Sequence, residues 1–274
     1  GGVTLAYSYN RVTTLPQAAT RAINNEFIAQ EAVTTQMTVN LKVLGGSFQV
    51  DRVIAEDENQ VVDHIQFQIQ QKIQATRALF HHLFVNGNEG LVPADFDGID
   101  RAVTGTTTEL IPGAPIDLNS SADITANWQV FLDQLRQLRA RLDGAPTLYL
   151  MNNDMYAVFQ SVMDRAGINL ASKQNYGEEV AQWGSSLVMA LGDRPGTANP
   201  IIATQADGTT SIYAVRLALD GVHGVSPSGS ALVRTYLPDL TAPGAVKTGE
   251  VEMVAAVALK ATRAAGVLRN IQIA

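Results

Sequence analysis

Gln60–Gly87 reads QVVDHIQFQIQQKIQATRALFHHLFVNG, and the architecture turns on this stretch. Val61, Ile65, Ile69 and Ile73 step by four, followed by Arg77 and Phe80–Phe84, an apolar stripe at helical period along the whole segment. Glu56, Asp57 and Glu58 stand at its start, where negative charge complements the helix dipole, and Asn86-Gly87 is a natural stop. A helix from Asp57 to Val85 has about 29 residues and spans roughly 43 Å. A compact chain of this size has a radius of gyration near ~19 Å, so the helix crosses the whole subunit and implies a flattened body. Opposite the stripe lie Gln66, Gln70 and Gln74. Uncharged amides can hydrogen-bond across an interface without the cost of burying charge; plain solvation is the ordinary alternative.

The 274 residues suffice for one large domain or two lobes, and 46% hydrophobic content places the chain among globular proteins. Charged residues are only 16%, a surface economical in solubilising groups and compatible with large contacts between chains. A net charge of −7, with pI ≈ 5.1 and no Lys/Arg run, argues against intrinsic nucleic-acid recognition, though not against enclosing nucleic acid. The absence of cysteine excludes a disulfide framework and a cysteine nucleophile. No window approaches the length of a membrane span. The first residues, GGVTLAYSYN, lack an initiator Met and a signal pattern, which fits a cleaved precursor or a truncated start.

Residues 1–16 read as a polar arm. Pro16 opens an expected helix, PQAATRAINNEFIAQEAV, with Ala19, Ile23 and Phe27 near helical spacing. In TVNLKVLGGSFQVDRVIA the alternation of Val39, Leu41 and Val43, then of Phe48 and Val50, predicts two strands, with Gly45-Gly46 as a hairpin turn. Residues 88–120 are loop-rich. A helix follows with Trp128, Phe131, Leu132, Leu135, Leu138 and Leu142 as its stripe. TLYLMN then reads as a buried strand, and Met155, Val158, Phe159 and Val162 as the stripe of another helix ending at Gly167. Together they predict a compact α/β lobe. Strand signals dominate after Ser185: SSLVMALGD, PIIATQ, an Asp207-Gly208 turn, SIYAVRLAL, ALVRTYL, and a long extended segment from Gly249 to Ile273.

Chemistry is sparse. His81 and His82 project about 100° apart on a helix and cannot share a metal from one face, and no HExxH occurs. His64 and His223 sit in ordinary settings. Gly221–Ser230 is glycine-rich but lacks the dinucleotide and P-loop patterns, and no GxSxG precedes a helix. The GDRPG run at Gly192–Gly196 suits a loop or a subunit contact. Glu178-Glu179, or Glu250 with Glu252, could pair as in a carboxylate hydrolase, but spacing alone cannot bring them together. No catalytic, cofactor-binding or metal-ligating residue is assigned, and the chain is read as not an enzyme.

The succession LKVLGGSFQVDRVIA, a long helix, LFVNGN and the loop ADFDGIDRAV resembles the major capsid proteins of tailed bacteriophages with the HK97-type fold. The helix ending RARLDG before TLYLMNNDMYAVFQSVM, then LVMALGDRPG and the closing VALKATRAAGVLRNI extend the likeness over roughly residues 20–274. The resemblance implies an α+β fold with an N-terminal arm at 1–16, and an extended loop, spine helix and peripheral domain over 17–120. It further implies an axial domain at about 121–235 and return strands to the peripheral domain at 236–274. It implies a structural protein that self-assembles as pentamers and hexamers into an icosahedral virion capsid, put together in the host cytoplasm. The shell would enclose double-stranded DNA without sequence-specific binding. Decoration, portal and scaffolding proteins are possible partners; no cofactor and no membrane are expected. Removal of an N-terminal scaffolding region would explain the missing Met. Some members crosslink Lys to Asn with a buried Glu; Lys42 lies in the corresponding region, but nothing marks its Asn or Glu, and no crosslink is assigned. The alternatives are an encapsulin-like compartment shell and, from another class, an α/β hydrolase with a carboxylate pair.

Overall fold

The computed structural model describes residues 5–14, 16–55, 64–175, 178–194, 196–229 and 231–274. In chain order the elements are β1 (Ala6–Thr14), β2 (Val33–Asn40), β3 (Lys42–Asp51), the one-turn α1 (Arg52–Ala55), α2 (His64–Asn86) and α3 (Ile99–Val103). The short strands β4 (Glu109–Leu110) and β5 (Ile116–Asp117) precede α4 (Ser121–Arg141), β6 (Leu148–Met151) and α5 (Asn153–Arg165). Then come β7 (Ala171–Asn175), β8 (Glu178–Trp183), β9 (Ser186–Ala190), β10 (Thr209–Val215), β11 (Val222–Val225), β12 (Val233–Tyr236), β13 (Val246–Leu259) and β14 (Ala265–Gln272).

Three sheets organise these elements. The larger runs β4-β14-β10-β6-β9-β8-β7, with β5 also on β14. The amphipathic stripes of α4 and α5 cover one of its faces, burying Phe131, Leu135 and Leu138 with Met155, Phe159 and Val162 against Tyr149, Met151, Ile212 and Leu268. Each helix starts where its sequence provides a cap: Ser120 Oγ accepts from Asp123 N, and Asn152 Oδ1 from Met155 N at 2.7 Å. Phe131 and Phe159 meet edge-to-face at 6.3 Å, the arrangement that ring quadrupoles favour. Alternation along β6 sends Leu150 to the opposite face, where it joins Val215, Val267, β13 and the C-terminal end of α2 in a second core.

The smaller sheet is built on β13. β3 pairs with it along Val246–Ala255, while β12 and β11 occupy successive halves of its other edge. α2 packs on the face bearing Leu44, Phe48, Val251 and Met253. Over its 23 residues α2 is about 35 Å long; the start of the expected helix, with Glu56, Asp57, Glu58 and Val61, lies outside the described residues. Its stripe is only partly covered: Ile65, Ile69 and Ile73 are half-buried, and burial completes at Leu83 and Val85.

The third sheet is a two-stranded ribbon of β1 and β2, in register from Ala6↔Asn40 to Val12↔Thr34, with a shift before Thr14↔Val33. Several sequence expectations are corrected here. The helix expected from Pro16 does not form; residues 16–32 make the exposed tip of this ribbon, and a helix that short has no packed face to stabilise it. The polar segment read as an arm supplies β1. Gly45-Gly46 is no hairpin turn: β3 passes straight through both, paired with β13 without a register shift. Glycine is needed at 45 for another reason, because a Cβ there would lie 2.0 Å from the Val251 carbonyl oxygen. PIIATQ is a loop. Ile201 and Ile202 are consecutive and both buried, and their carbonyls accept from the side chains of Asn86 and Asn152 instead of from a strand. The closing segment divides: β13 belongs to the smaller sheet, but β14 enters the larger one between β10 and β4, and β11 and β12 join the smaller sheet. The hairpin of β7 and β8, at the edge of the larger sheet, had no clear sequence signal because its residues are polar and unpatterned.

Candidate assembly surfaces

The foot of the ribbon is fixed by side chains projecting from one face of β1. Tyr9 donates its hydroxyl to the Leu259 carbonyl at 2.8 Å, and Arg11 donates to the same carbonyl and to Tyr9 Oη. Tyr7 lies edge-on to His223 at 5.7 Å and beneath the Lys260 ammonium at 5.7 Å. Burial lowers the His223 pKa and Lys260 lowers it further, partly offset by a backbone hydrogen bond with Gly221. Beyond this foot residues 16–36 are exposed throughout among the described residues, including Ile23 (89%), Phe27 (62%) and Ile28 (86%). Apolar side chains at the end of a projecting ribbon are suited to burial in another molecule.

The outward face of the smaller sheet is a second exposed surface. Val43, Tyr236 and Val246 are exposed there, next to Glu250, Glu252 and Arg234. This placement answers the carboxylate question for one pair: Glu250 and Glu252 stand two apart on one strand, on an open sheet face rather than in a cleft. The side chains of Glu178 and Glu179 lie outside the described residues. His81 is exposed and His82 half-buried near the end of α2, where His82 Nδ1 meets Asn86 Nδ2 at 3.1 Å; burial, then Arg194, lowers the His82 pKa, with Asp95 opposing. Among the described residues no group of three or more His, Asp or Glu could hold a metal ion, and no helix is long and apolar enough to cross a membrane.

Lys42 is engaged within its own chain. Its ammonium donates to Glu89 Oε1 at 2.8 Å and to the Pro93 carbonyl at 2.7 Å, tying β3 to the loop after α2. Asp193 of GDRPG forms a bridge with Pro200, and His223 lies within β11, directly after Gly221 and Val222.

Sequence reading missed a clamp that ties α3 to the edge of the larger sheet. Arg269 on β14 donates to Glu109 Oε1 at 2.5 Å, to Asp100 Oδ1 at 2.7 Å and to Thr104 Oγ1 at 2.9 Å, while Tyr213 Oη donates to Asp100 at 2.7 Å. Burial opposes the guanidinium charge but its hydrogen bonds to Glu109 and Asp100 outweigh that, so its pKa is held above the ordinary value. Arg269 lies 160 or more positions from its partners and Tyr213 lies 113 from Asp100, and no motif links them.

The complete arrangement, a projecting ribbon, a long helix beneath a four-stranded sheet, and a helix-covered larger sheet, has known counterparts. It matches the encapsulin of the holo-SrpI complex from Synechococcus elongatus PCC 7942 at 16% identity, with TM-score 0.69 over 99% of this chain and 84% of that one. It matches the capsid protein of an empty GTA particle at 13% identity, with TM-score 0.64 over 97% and 85%. The capsid protein of Myoviridae phage XM1 matches at 12% identity, with TM-score 0.61 over 99% and 87%. The fold is that of the HK97-type shell proteins. No protein-family model matches the sequence, and no curated protein matches it.

Proposed function

We propose that the chain is the repeating subunit of a closed icosahedral shell, a major capsid protein that encloses the double-stranded DNA of a tailed phage. The observation that carries this is surface area. The isolated chain exposes 15633 Å² at 29.3 kDa, whereas a compact monomer of that mass would expose about 11,500 Å². The excess of about 4,000 Å² is of the size that obligate assemblies bury. Much of the exposed apolar surface lies on the ribbon and the outward sheet face. In this reading the ribbon at 6–40 is the extended loop, α2 with the smaller sheet is the peripheral domain, and the larger sheet with α4 and α5 is the axial domain. Closure lets many modest contacts reinforce one another around pentamers and hexamers. Assembly in the host cytoplasm, and the company of scaffolding, portal or decoration proteins, belong to the same proposal.

Negative-stain microscopy of the purified full chain tests it. Shells tens of nanometres across, or capsomers, are expected; a strictly monomeric particle under all assembly conditions would sink the idea. The similarity to an encapsulin over nearly the whole chain favours one second reading, a compartment shell holding protein cargo. The contents of shells recovered from the native source separate the two: nucleic acid inside supports the capsid, a protein guest the compartment.

A further inference from the structure

The polar side of α2 has a property that the shell reading does not use. Its 23 residues contain no Asp or Glu, in a chain where Asp+Glu number 26 against 19 Lys+Arg. Gln70, Gln74, Arg77 and His81 are all exposed and follow one another at spacings of four, three and four, forming one row about 17 Å long. Every member can donate a hydrogen bond and none carries negative charge. Lys72 flanks the row, half-buried with its ammonium beside Gly46. In sequence the carboxylates Glu56, Asp57, Glu58 and Asp63 all precede the row, which confines it to the helix from Gln70 onward.

We propose that the row Gln70–Gln74–Arg77–His81 is a weak, sequence-independent contact for the phosphate backbone of the double-stranded DNA inside the shell; this rests on the capsid reading above. Charge selects this occupant. A polyanion matches a row of donors with a single cationic sign, and amides and guanidinium both donate to phosphate oxygens without reading sequence. The competing occupant, a neighbour's ribbon tip, exposes Ile23, Phe27 and Ile28 besides Glu26 and Glu31, three bulky apolar side chains for which this side of α2 offers one exposed counterpart, Phe67. His81 stays neutral near pH 7, its pKa lowered by partial desolvation and then by Arg77, so Arg77 is the one full charge in the row. Each contact is therefore weak, and repetition over a closed shell makes it count while leaving the DNA free to shift.

The test uses the unassembled full chain and a random-sequence 60-base-pair duplex, with binding followed by fluorescence anisotropy across a salt series. Wild type should bind weakly, with a log–log salt slope of about −1 to −2. Arg77→Gln should lower the slope magnitude by about 1, and Gln70→Glu/Gln74→Glu/Arg77→Glu should cut affinity at least tenfold. A control with the same charge change on α4, Gln134→Glu/Arg136→Glu/Gln137→Glu, should retain more than half of it. No binding by wild type at low salt, equal losses in both triple variants, or an unaffected Arg77→Gln would each overturn the proposal. If the α2 triple variant misfolds, Arg77→Gln alone decides. Microscopy of the same preparations separates the outcomes: shells without DNA affinity refute this contact and leave the capsid reading standing, whereas no shells under any condition refute the reading beneath it.

Discussion

Two adjacent glycines give a sharp test of how β3 is built. Gly45 has φ +154°, and a Cβ added there would sit 2.0 Å from the Val251 carbonyl oxygen and 3.1 Å from the Glu252 Cα. Both neighbours are backbone atoms of β13, so no side chain can rotate away. Relief requires β3 to move off β13, at the cost of overpacking strain of about 1–3 kcal/mol and one or two ladder hydrogen bonds of about 1 kcal/mol each. Gly45→Ala should therefore destabilise by about 3 kcal/mol or more. At Gly46 the nearest atom to an added Cβ is the Lys72 ammonium at 3.6 Å, an ordinary contact with the far end of a flexible side chain. Gly46→Ala removes glycine's backbone entropy and should lie between neutral and about 1 kcal/mol stabilising. Equilibrium urea unfolding of the unassembled chain reads both, and in thermal melts Gly45→Ala should fall by roughly 6–12 °C. A hairpin turn at these positions would penalise both substitutions alike. Equal damage at the two sites, or a Gly45→Ala variant within 1 kcal/mol of wild type, would refute the continuous strand.

Other perturbations probe other parts. Arg269→Met strands Asp100 and Glu109 at the junction of α3, β4 and β14; because Arg269 is 24% exposed, the cost should be about 2–3 kcal/mol, below that of a fully buried pair, read by urea unfolding. Phe159→Ala removes a fully buried ring packed on Phe131 and Trp183 and should cost about 3–5 kcal/mol in the same assay. Deleting 17–31 touches only exposed residues, so the melting temperature of the unassembled chain should change by less than about 3 °C, since surface changes are worth little. The same deletion should abolish shells in the microscope; shells of normal yield would deny the ribbon its role. His81, His82 and His223 all have folded-state pKa values below the ordinary 6.5. The unfolded chain thus binds protons first, and stability should be full above about pH 6.5 and decline as pH falls below it. His223→Gln should flatten part of that decline in pH-dependent melts, and an unchanged profile would deny burial of His223 at the ribbon foot.

The stripes of α4 and α5 and the buried strand between them were legible because each depends on residues within one turn or one alternation of one another. Lys42 drew attention by its position in sequence, yet its ion pair with Glu89 took the fold to reveal. The Arg269 clamp joins residues that no local pattern relates.

By itself the sequence determined the long helix that ends at Asn86 and the compact lobe of α4, β6 and α5, and its motifs in their order carried the likeness to shell proteins. The helices and the strand follow from period and alternation, which act along the chain. Tertiary structure alone decided that residues 16–32 stay irregular at the tip of a ribbon, since a marginal amphipathic helix forms only where something covers its face. It decided that Gly45 serves close strand approach rather than a turn, because steric exclusion by Val251 acts across a ladder of more than 200 intervening positions. It also decided that β14 pairs in the larger sheet, a choice among edges equally open to an apolar strand. The glutamines of α2 were read first as solvated or interfacial. Their placement in one exposed row without a carboxylate is what turns them toward a polyanion.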